Sequence, residues 1–423
     1  MKSFLKNIIV FVLWNQVLRL RRKNNFKIIG VVGSMGKTST KIAISKALSS
    51  QKKVMFQEGN YNDIVSVPLV FFGQDMPKLT NIFDWFKILL TNELKILRKY
   101  EYDFVVIEIG TDAPGQIEKF RKYLKLDLAV ITAIAEEHME FFKDINEVAE
   151  EEWSVSFWSD LVLVNKDLCK IIPQNVNNQK IVFYGKDFGS YYKIINILRT
   201  EKGFVFDISY KDKEIKEINI TSVSELSIYS TTSALVVALI LGLDVEKVKE
   251  EIKKIKPFKG RMQLLKGINN SLIIDDSYNA SPKSMKIALD TIYDLPNKQK
   301  IAILGMMNEL GKLSENFHRD IGKYCDPGML DYVVTIGIDA NKYIASEAEA
   351  KGCRVYRSKD SVDAGNFVKD VIKENSLILV KGSQNGVFAE ESIKPLLKNK
   401  NDISLLVRQD SHWMIKKNSL FKP

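Results

Sequence analysis

One stretch near the start of the chain decides the fold: Ile28-Ile29-Gly30-Val31-Val32-Gly33-Ser34-Met35-Gly36-Lys37-Thr38-Ser39-Thr40. An apolar, β-branched run leads into a glycine-containing turn, and Gly-Lys-Thr then opens a segment with helical spacing. Such glycines let backbone N–H groups close around phosphate oxygens, the lysine adds positive charge, and the hydroxyl beside it can hold Mg²⁺. The stretch predicts a phosphate-binding loop, although Val31 stands where the usual G-x-x-x-x-G-K-[ST] pattern has its first glycine. A chance Gly-Lys-Thr turn is the alternative.

Length and composition limit the classes of protein that the chain can belong to. With 423 residues it is expected to hold two or three domains. The content of 45% hydrophobic and 27% charged residues is typical of a folded soluble protein. A net charge of +10 would suit nucleic acid, a membrane surface or acidic substrates, but the lysines are scattered and no Arg-rich block accompanies them. This distribution favours a solvated basic surface and no nucleic-acid partner.

The cysteines indicate the compartment. Cys169, Cys325 and Cys353 are widely separated and odd in number, so they predict neither a disulfide framework nor a cysteine metal site. We therefore expect a cytoplasmic protein.

Residues 4–20 form an apolar and basic segment at the N-terminus. A membrane-spanning helix needs about 20 apolar residues, whereas Asn15, Gln16 and Arg19 interrupt this one. No small-residue cleavage site follows, which argues against a signal peptide. The segment predicts an amphipathic helix packed on the next domain; a weak anchor at the membrane surface is the alternative.

From Lys27 onward, short β-branched runs alternate with helical segments, which predicts a mostly parallel sheet with crossover helices. The expected strands of the first part are residues 27–32, 104–109, 128–132, 161–165 and 181–184, followed by hairpins over 191–220. Residues 75–98 predict a loop and then a helix with an outward aromatic face.

Pro257-Phe258-Lys259-Gly260 interrupts this pattern, and a second alternation begins after it. Its expected strands are residues 272–275, 300–304, 332–336, 377–380 and 404–407. The fold class is therefore α/β, with a P-loop domain over 27–258, a Rossmann-like domain over 259–423, and residues 1–26 as an N-terminal helix or leader.

Polar side chains follow several of the predicted strands at their carboxyl ends, where open α/β sheets bind ligands. Glu108 ends an apolar run and is placed to meet Mg²⁺, and His138 follows the next strand. In the second part, Asp275 to Pro282 suits ribose or a base, although a capped turn explains Ser281-Pro282 equally well. Lys381-Gly382-Ser383 suits a carboxylate.

Together these residues resemble the Mur ligases, and most closely the branch that adds D-Ala-D-Ala to a UDP-muramoyl peptide. The resemblance extends from about Lys27 to about Leu397 and rests on short motifs in the family's order. They are Gly33-x-x-Gly36-Lys37-Thr38, Gly59 to Ile64 with Val67-Pro68, Glu108-Ile109-Gly110 with Pro114-Gly115, Thr132 to Glu140, Gly260-Arg261-Met262, Asp275 to Pro282 with Ser284-Met285, Leu304-Gly305 with Glu309-Leu310-Gly311 and His318, and Lys381-Gly382-Ser383.

The resemblance implies an ATP- and Mg²⁺-dependent ligase. In such an enzyme the γ-phosphoryl group of ATP passes to a substrate carboxylate, and an amine then attacks the acyl phosphate. The implied ATP contacts are Gly33, Ser34, Met35, Gly36, Lys37, Thr38, Ser39, Arg261, Asp276 and Asn279. The implied Mg²⁺ ligands are Thr38, Glu108 and His138. The implied substrate contacts are Asn60 and Asn62 on the acceptor side and Lys381 and Ser383 on the amine side.

The sequence departs from the family's pattern in three places. Only about 26 residues precede the P-loop strand, where the family usually has a domain that grips the UDP-sugar. Glu152 stands at the place of the family's carbamylated lysine, so we expect either a catalytic carboxylate there or a solvated acidic helix face. The family's His-Asn-x-x-Asn stretch near adenine is not preserved around residues 226–230.

The expected function is that of a cytoplasmic, monomeric amide ligase in peptidoglycan precursor synthesis. Its partners would be small molecules, namely a nucleotide-sugar peptide and an amino acid or dipeptide. Two alternatives stay open: the same chemistry on another acceptor, such as a folate or poly-amino-acid chain, and an ATP-binding subunit without catalysis.

Overall fold

Two sheets organise the residues that the computed structural model describes, 2–176 and 178–420, and each sheet lies in a unit of its own. The first unit runs to Ala135 and also contains residues 142–221 and 226–255. The second contains residues 136–141 and 222–225 together with the chain from Lys256 onward.

The sheet of the first unit begins parallel and ends antiparallel. Its strand order is β2-β3-β1-β4-β5-β6-β7-β8-β9; the neighbours up to β7 are parallel, and β7, β8 and β9 form antiparallel hairpins. The strands are β1 (Lys27–Val32), β2 (Val54–Met55), β3 (Phe104–Glu108), β4 (Leu128–Ile131), β5 (Val162–Asn165), β6 (Ile181–Gly185), β7 (Tyr192–Thr200), β8 (Gly203–Tyr210) and β9 (Lys213–Ile220). The predicted parallel sheet and hairpins are confirmed.

Strand β1 shows why this sheet forms. Alternate side chains of a strand point to opposite faces, and here Ile28 and Val32 enter one hydrophobic cluster while Ile29 and Val31 enter the other. A strand that is apolar on both faces must be covered on both, as in parallel sheets. The covering helices are α1 (Lys2–Lys23), α2 (Lys37–Ser49), α3 (Ser66–Val70), α4 (Ile82–Leu97), α5 (Ile145–Trp153), α6 (Leu226–Ile240) and α7 (Val245–Ile252).

Helix α1 lies on this unit against α3 and α4. Its side chains Leu13, Val17 and Leu20 are fully buried, and the Trp14 indole N–H donates to the Ile64 carbonyl at 3.3 Å. Among the described helices, none is both long and apolar enough to cross a membrane.

The second unit holds a sheet in the order β10-β11-β15-β12-β13-β14, in which only β10 is antiparallel to its neighbour. Its strands are β10 (Gln263–Lys266), β11 (Leu272–Asp276), β12 (Lys300–Gly305), β13 (Tyr332–Ile336), β14 (Val355–Ser358) and β15 (Leu377–Lys381). Its helices are α8 (Pro282–Asp294), α9 (Ser314–Tyr324), α10 (Ala345–Ala350), α11 (Ser361–Val371) and α12 (Ser411–Leu420). The α/β fold class is thereby confirmed.

The strand expected over residues 404–407 is wrong. Residues Lys400–Leu405 form a 3-10 helix, which Asn399 caps by accepting from the Asn401 N–H at 3.0 Å. Leu406 and Val407 are buried by packing, without a strand partner. The edges of the sheet are β10 and β14, which the sequence did not predict because both are four residues long and partly exposed.

The packing of α1 can be tested with a matched pair of substitutions on that helix. Leu13→Ala removes a fully buried side chain and should lower the free energy of unfolding by about 2–5 kcal/mol. Phe11→Ala changes a side chain that is 68% exposed and should alter it by less than about 0.5 kcal/mol. Denaturant unfolding followed by circular dichroism measures both, and equal effects would contradict the packing.

Candidate functional site

The loop between β1 and α2 has a backbone that only glycine tolerates at two positions. Gly33 has φ +124° and Gly36 has φ +80°, which is the left-handed region that L side chains rarely adopt. A Cβ on Gly33 would also lie 2.3 Å from the Thr132 Oγ1 atom. The loop is therefore pressed against the end of β4, and glycine makes that approach possible.

Residues after β4 fix the shape of the loop by hydrogen bonds. The Thr132 hydroxyl lies 2.9 Å from the Val32 carbonyl and 2.6 Å from the Met35 carbonyl and donates to this pair. The Ser34 N–H donates to the Ala133 carbonyl at 2.8 Å, and the Ser34 hydroxyl oxygen accepts from the Ala135 N–H at 3.0 Å. The Ser34 side chain thus braces the loop.

Helix α2 starts directly after the loop, at Lys37. Its N-cap is Gly36, which has no side chain to cap the first turn, and no acidic residue lies in that turn. The N–H groups of a helix's first turn lack partners within the helix and carry the positive end of its dipole. Lys37, whose ammonium donates to the Gly33 carbonyl, adds a full charge. Loop and helix together form an anion site suited to phosphate.

A buried ion pair lies at the end of β3. Glu108 is 2% exposed, and its Oε2 atom lies 3.2 Å from the Nζ atom of Lys41, which is equally buried. Lys41 also donates to the Gly59 carbonyl at 3.0 Å. Sequence reasoning missed Lys41; the signal was available, since a lysine one turn after Lys37 lies on the same face of α2.

The oxygens at this strand end fit a magnesium ion. Mg²⁺ binds carboxylate and hydroxyl oxygens and keeps several waters or phosphate oxygens. Glu108 Oε2 is buried with the Lys41 ammonium as its neighbour, and Thr38 is buried in the first turn of α2. Within the described part of the chain, no three His, Cys, Asp or Glu side chains are grouped closely enough to hold a metal ion by themselves. Any Mg²⁺ here would therefore depend on hydroxyl, water and phosphate oxygens as well.

Glu152 is buried and bonded to the phosphate loop, so the alternative of a solvated acidic helix face is wrong. It is 1% exposed near the end of α5, and its Oε2 atom accepts from the Gly33 N–H at 2.7 Å. The Gly33 N–H is consequently engaged by a carboxylate in this structure. Since successive helical residues point about 100° apart, the neighbouring Glu151 faces a different target.

That target is the loop after β3. Glu151 accepts from the Thr111 hydroxyl at 3.0 Å, the Gly115 N–H at 2.6 Å and the Ile117 N–H at 2.7 Å. One short helix therefore holds two loops through adjacent carboxylates.

The loop with Asn60 and Asn62 lies beside the same strand end. The Asn62 carbonyl accepts from the Gly110 N–H at 2.8 Å, and Gly59 is held by Lys41. Asn60 is exposed. The residues that the sequence assigned to the acceptor thus lie next to the Glu108 end of β3.

In the second unit, Asp276 and Lys381 form a pair, although the sequence assigned them to different ligands. Lys381 Nζ lies 2.5 Å from Asp276 Oδ2 and donates to the Asn279 carbonyl at 3.0 Å. Asp276 Oδ1 accepts from the Met262 N–H at 3.1 Å. Lys381 and Asp276 are buried, while the Asn279 side chain is exposed.

Ser383 and Arg261 flank this pair. The Ser383 hydroxyl oxygen accepts from the Asn308 N–H at 3.0 Å and its hydrogen points to the Ala280 carbonyl at 3.4 Å. The Arg261 guanidinium lies over the Tyr278 ring, 4.2 Å from its centre, and its Nε–H is buried without an acceptor. Such an orphaned donor suits an anionic ligand.

His138 contacts a carboxylate within the second unit. Its Nδ1 atom lies 2.6 Å from Glu309 Oε2, and its Nε2 atom lies 3.7 Å from Glu137 Oε1. The hydrogen bond from His138 lowers the pKa of the Glu309 carboxyl. A histidine held through one nitrogen by a carboxylate is oriented as metal-ligating histidines are.

A second histidine, His318, is structural. Its Nε2 atom accepts from the Met307 N–H at 2.9 Å, so the hydrogen lies on Nδ1, 2.7 Å from the Ser314 carbonyl. Burial lowers the pKa of His318, and the neutral ring joins α9 to the chain after β12.

A buried charge cluster supports the loop after β11, and the sequence did not predict it. Arg408 donates to the Ser277 carbonyl at 2.7 Å and the Tyr278 carbonyl at 3.0 Å, and it forms a salt bridge with Glu390 at 2.6 Å. Lys417 of α12 lies 2.7 Å from the same glutamate. The C-terminal helix is thereby tied to the loop that carries Asp276 and Asn279.

Asp275 and Ser281 shape the same loop. Asp275 is fully buried and accepts from the Ser277 N–H at 3.1 Å, and burial raises the pKa of Asp275 to about 6. The Ser281 N–H donates to the Ser284 hydroxyl oxygen at 2.9 Å, and Pro282 begins α8. The turn is capped, as one interpretation of the sequence held.

Comparisons with known proteins place both units in the range of one family. The model of the Mur ligase middle domain matches residues 31–238, and that of the Mur ligase, glutamate ligase domain matches residues 260–384. A UDP-N-acetylmuramoyl-tripeptide–D-alanyl-D-alanine ligase from Bacillus subtilis is 29% identical over 378 residues, which are 88% of this chain and 76% of the relative. The matched ranges contain the loop, Glu108, Glu152, Asp276 and Lys381.

Two solved structures have a similar fold. The MurF ligase from Thermotoga maritima in complex with ADP has a TM-score of 0.71 at 22% identity, covering 91% of this chain and 84% of its own. A folylpolyglutamate synthase from Mycobacterium tuberculosis complexed with ADP has a TM-score of 0.63 at 13% identity, covering 92% and 93%. At these identities the likeness concerns the fold.

Glu151 and Glu152 provide a matched pair of variants for the loop. Glu152→Gln keeps an oxygen for the Gly33 N–H but removes the charge, so we expect kcat/KM for ATP to fall at least about tenfold with little change in Tm. Glu151→Gln weakens three hydrogen bonds in a structural loop and should lower Tm while leaving kcat/KM nearly unchanged. Steady-state kinetics and thermal unfolding measure both. Unchanged kinetics for Glu152→Gln would contradict its place in the site.

The ion pair at the end of β3 can be tested by a double-mutant cycle. Lys41→Met leaves the buried Glu108 carboxylate without its cation and should lower the free energy of unfolding by about 3–5 kcal/mol. Lys41→Met combined with Glu108→Gln removes both charges and should restore most of that loss. Denaturant unfolding without nucleotide measures the cycle; strictly additive losses would show that the pair does not interact.

Proposed function

This chain belongs to the Mur ligase family, and from that premise we propose that it adds D-alanyl-D-alanine to a UDP-muramoyl peptide, as a step of peptidoglycan precursor synthesis. It is an ATP-dependent ligase that joins a carboxyl group to an amine. The observation that carries the proposed substrates is the match to the Bacillus subtilis ligase across 88% of this chain. The anion site formed by residues 33–38 supports the use of ATP.

The reaction proceeds in two transfers. The substrate carboxylate oxygen attacks the γ-phosphorus of ATP, ADP leaves, and an acyl phosphate forms. The amine of the incoming dipeptide then attacks the acyl carbon, inorganic phosphate leaves, the amine loses a proton, and the amide bond is complete. The protein contributes position and charge neutralisation rather than covalent steps.

Residues of the first unit hold the phosphates in this scheme. The N–H groups of Met35 to Ser39 would surround the β- and γ-phosphates, and Lys37 would exchange the Gly33 carbonyl for a phosphate oxygen. We propose Thr38, Glu108 and His138 as the ligands of Mg²⁺. When bound, that ion would neutralise charge on the β- and γ-phosphate oxygens. Glu152 would place a further carboxylate beside the loop, where the family carries a carbamylated lysine.

Residues of the second unit take the nucleotide and the amine. Arg261, with its orphaned Nε–H, Asp276 and Asn279 are proposed ATP contacts. Lys381 and Ser383 are proposed contacts of the incoming dipeptide, where Lys381 would exchange Asp276 for the dipeptide's carboxylate. On the acceptor side the proposed contacts are Asn60 and Asn62.

The remaining features of the proposal concern organisation. Residues 27–258 would form the nucleotide-binding domain and residues 259–423 the domain that receives the amine, with residues 1–26 as an added helix. We further propose a cytoplasmic monomer whose partners are small molecules, without a nucleic-acid partner.

Purified protein with ATP and Mg²⁺ tests the substrates directly. We expect phosphate release, and a new amide detected by mass spectrometry, only when a UDP-muramoyl tripeptide and D-Ala-D-Ala are both present. Lys37→Ala should reduce this turnover at least about 10²-fold with Tm unchanged, because it removes the cation at the phosphates. It is the control for contaminating ATPase.

Other outcomes would redirect the proposal. Turnover with a folate and glutamate, but not with the muramoyl peptide, would favour the alternative acceptor. ATP binding without turnover on any acceptor would favour a non-catalytic subunit.

A further inference from the structure

The outward sides of helices α1 and α4 expose nine large apolar side chains. We call this surface the α1/α4 face. It consists of Phe4, Ile8 and Phe11 on α1 and of Ile82, Phe83, Phe86, Leu90, Leu94 and Leu97 on α4.

The exposed side chains of α4 follow a helical stripe. Phe83, Phe86, Leu90, Leu94 and Leu97 are spaced by three or four residues, so they lie along one side of the helix. Phe83 is 85% exposed and Phe86 is 68% exposed. Single exposed apolar residues are ordinary, whereas a continuous apolar surface indicates a binding site.

The opposite side of α4 is packed against α1. On the inner side of α4, Trp85 and Ile88 are buried in a cluster with Ile9 and Leu13 of α1. Gln16 accepts from the Asn92 amide at 2.9 Å, both within the buried seam between the helices. The inner side of α4 is therefore already packed against α1, and the outward residues are not part of the core.

The two helices run in the same direction, which brings their phenylalanines to one end. Gln16 donates to the Leu89 carbonyl at 2.9 Å, and the Lys23 ammonium donates to the Leu97 carbonyl at 2.7 Å, so positions advance together along both helices. Phe4 and Phe11 accordingly lie towards the same end as Phe83 and Phe86. Leucines occupy the other end.

Cations border the face, whereas its acidic groups are engaged locally. Lys87, Arg98, Lys99 and Arg22 are exposed on or beside the two helices. Among the described residues of α4, the two acids are Asp84, which pairs with its own N-cap Asn81, and Glu93, which forms a salt bridge with Arg19 at 2.8 Å.

The cations beside the α1/α4 face favour an anionic partner. A second copy of the chain, docked through the same face, would bring equal sets of cations together. An anionic phospholipid surface offers the opposite charge, and apolar side chains with basic neighbours are the composition of helices that lie in a membrane interface.

We propose that the α1/α4 face inserts shallowly into an anionic phospholipid membrane. The phenylalanines and leucines enter the boundary between headgroups and acyl chains, while Lys87, Arg98, Lys99 and Arg22 reach lipid phosphates. This inference is independent of the ligase substrates, because none of these residues is assigned to the site.

Vesicle flotation with the full chain tests the proposal. The wild-type protein should float with vesicles of equal parts phosphatidylglycerol and phosphatidylcholine and should bind phosphatidylcholine alone at least about tenfold more weakly. Phe83→Ser with Phe86→Ser should reduce binding to the anionic vesicles at least about tenfold. Lys87→Glu with Arg98→Glu should do the same.

Phe188→Ser with Ile338→Ser is the matched control, since these side chains are 94% and 80% exposed elsewhere. It should leave binding unchanged, and thermal unfolding shows whether each variant is folded. No wild-type binding to anionic vesicles, or equal loss in the control, would overturn the proposal. A wild-type dimer that Phe83→Ser with Phe86→Ser converts to a monomer would also overturn it, because the face would then be a protein interface.

Discussion

The contact between Gly33 and Thr132 is the constraint on which the phosphate loop depends. A side chain at position 33 would collide with the Thr132 hydroxyl, and that hydroxyl in turn joins the Val32 and Met35 carbonyls. The loop that follows β1 is thus held in place by the end of β4. Because β1 and β4 are parallel neighbours, their carboxyl ends meet at one edge of the sheet. The phosphate loop lies at that edge because both strands end there.

Three buried carboxylates near these strand ends already have a partner within their own unit. Glu108 lies against Lys41, Glu152 accepts from the Gly33 N–H, and Asp276 lies against Lys381. A buried charge without a partner would cost several kcal/mol, so a preformed site must hold its charges in internal pairs until ligands arrive. Binding of phosphate, magnesium or carboxylate would then exchange one partner for another, which costs less than creating a charged site from neutral groups.

Local patterns allowed much of this to be predicted from the sequence. The glycine turn, the apolar strands and the hairpins depend on residues close together in the chain, and the structure has them where expected. What the sequence missed was long-range pairing. Lys41 was unremarkable until Glu108, 67 positions later, appeared beside it, and the Arg408–Glu390 salt bridge needed the whole C-terminal segment in place. The strand expected over 404–407 failed because an apolar segment can be buried by packing alone, without ladder hydrogen bonds.

Helix α1 carries apolar residues on two sides, and these two sides have different surroundings. Its sequence is apolar on more than one side, a property usually explained by burial or by a lipid environment. Burial within the fold explains why Leu13, Val17 and Leu20 are apolar. It does not explain Phe4, Ile8 and Phe11, which are exposed. Helix α4 has the same division, with Trp85 inside and Phe83 and Phe86 outside. Two neighbouring helices with apolar residues on the same outer side are difficult to attribute to core packing. A second apolar environment, outside the fold, explains both.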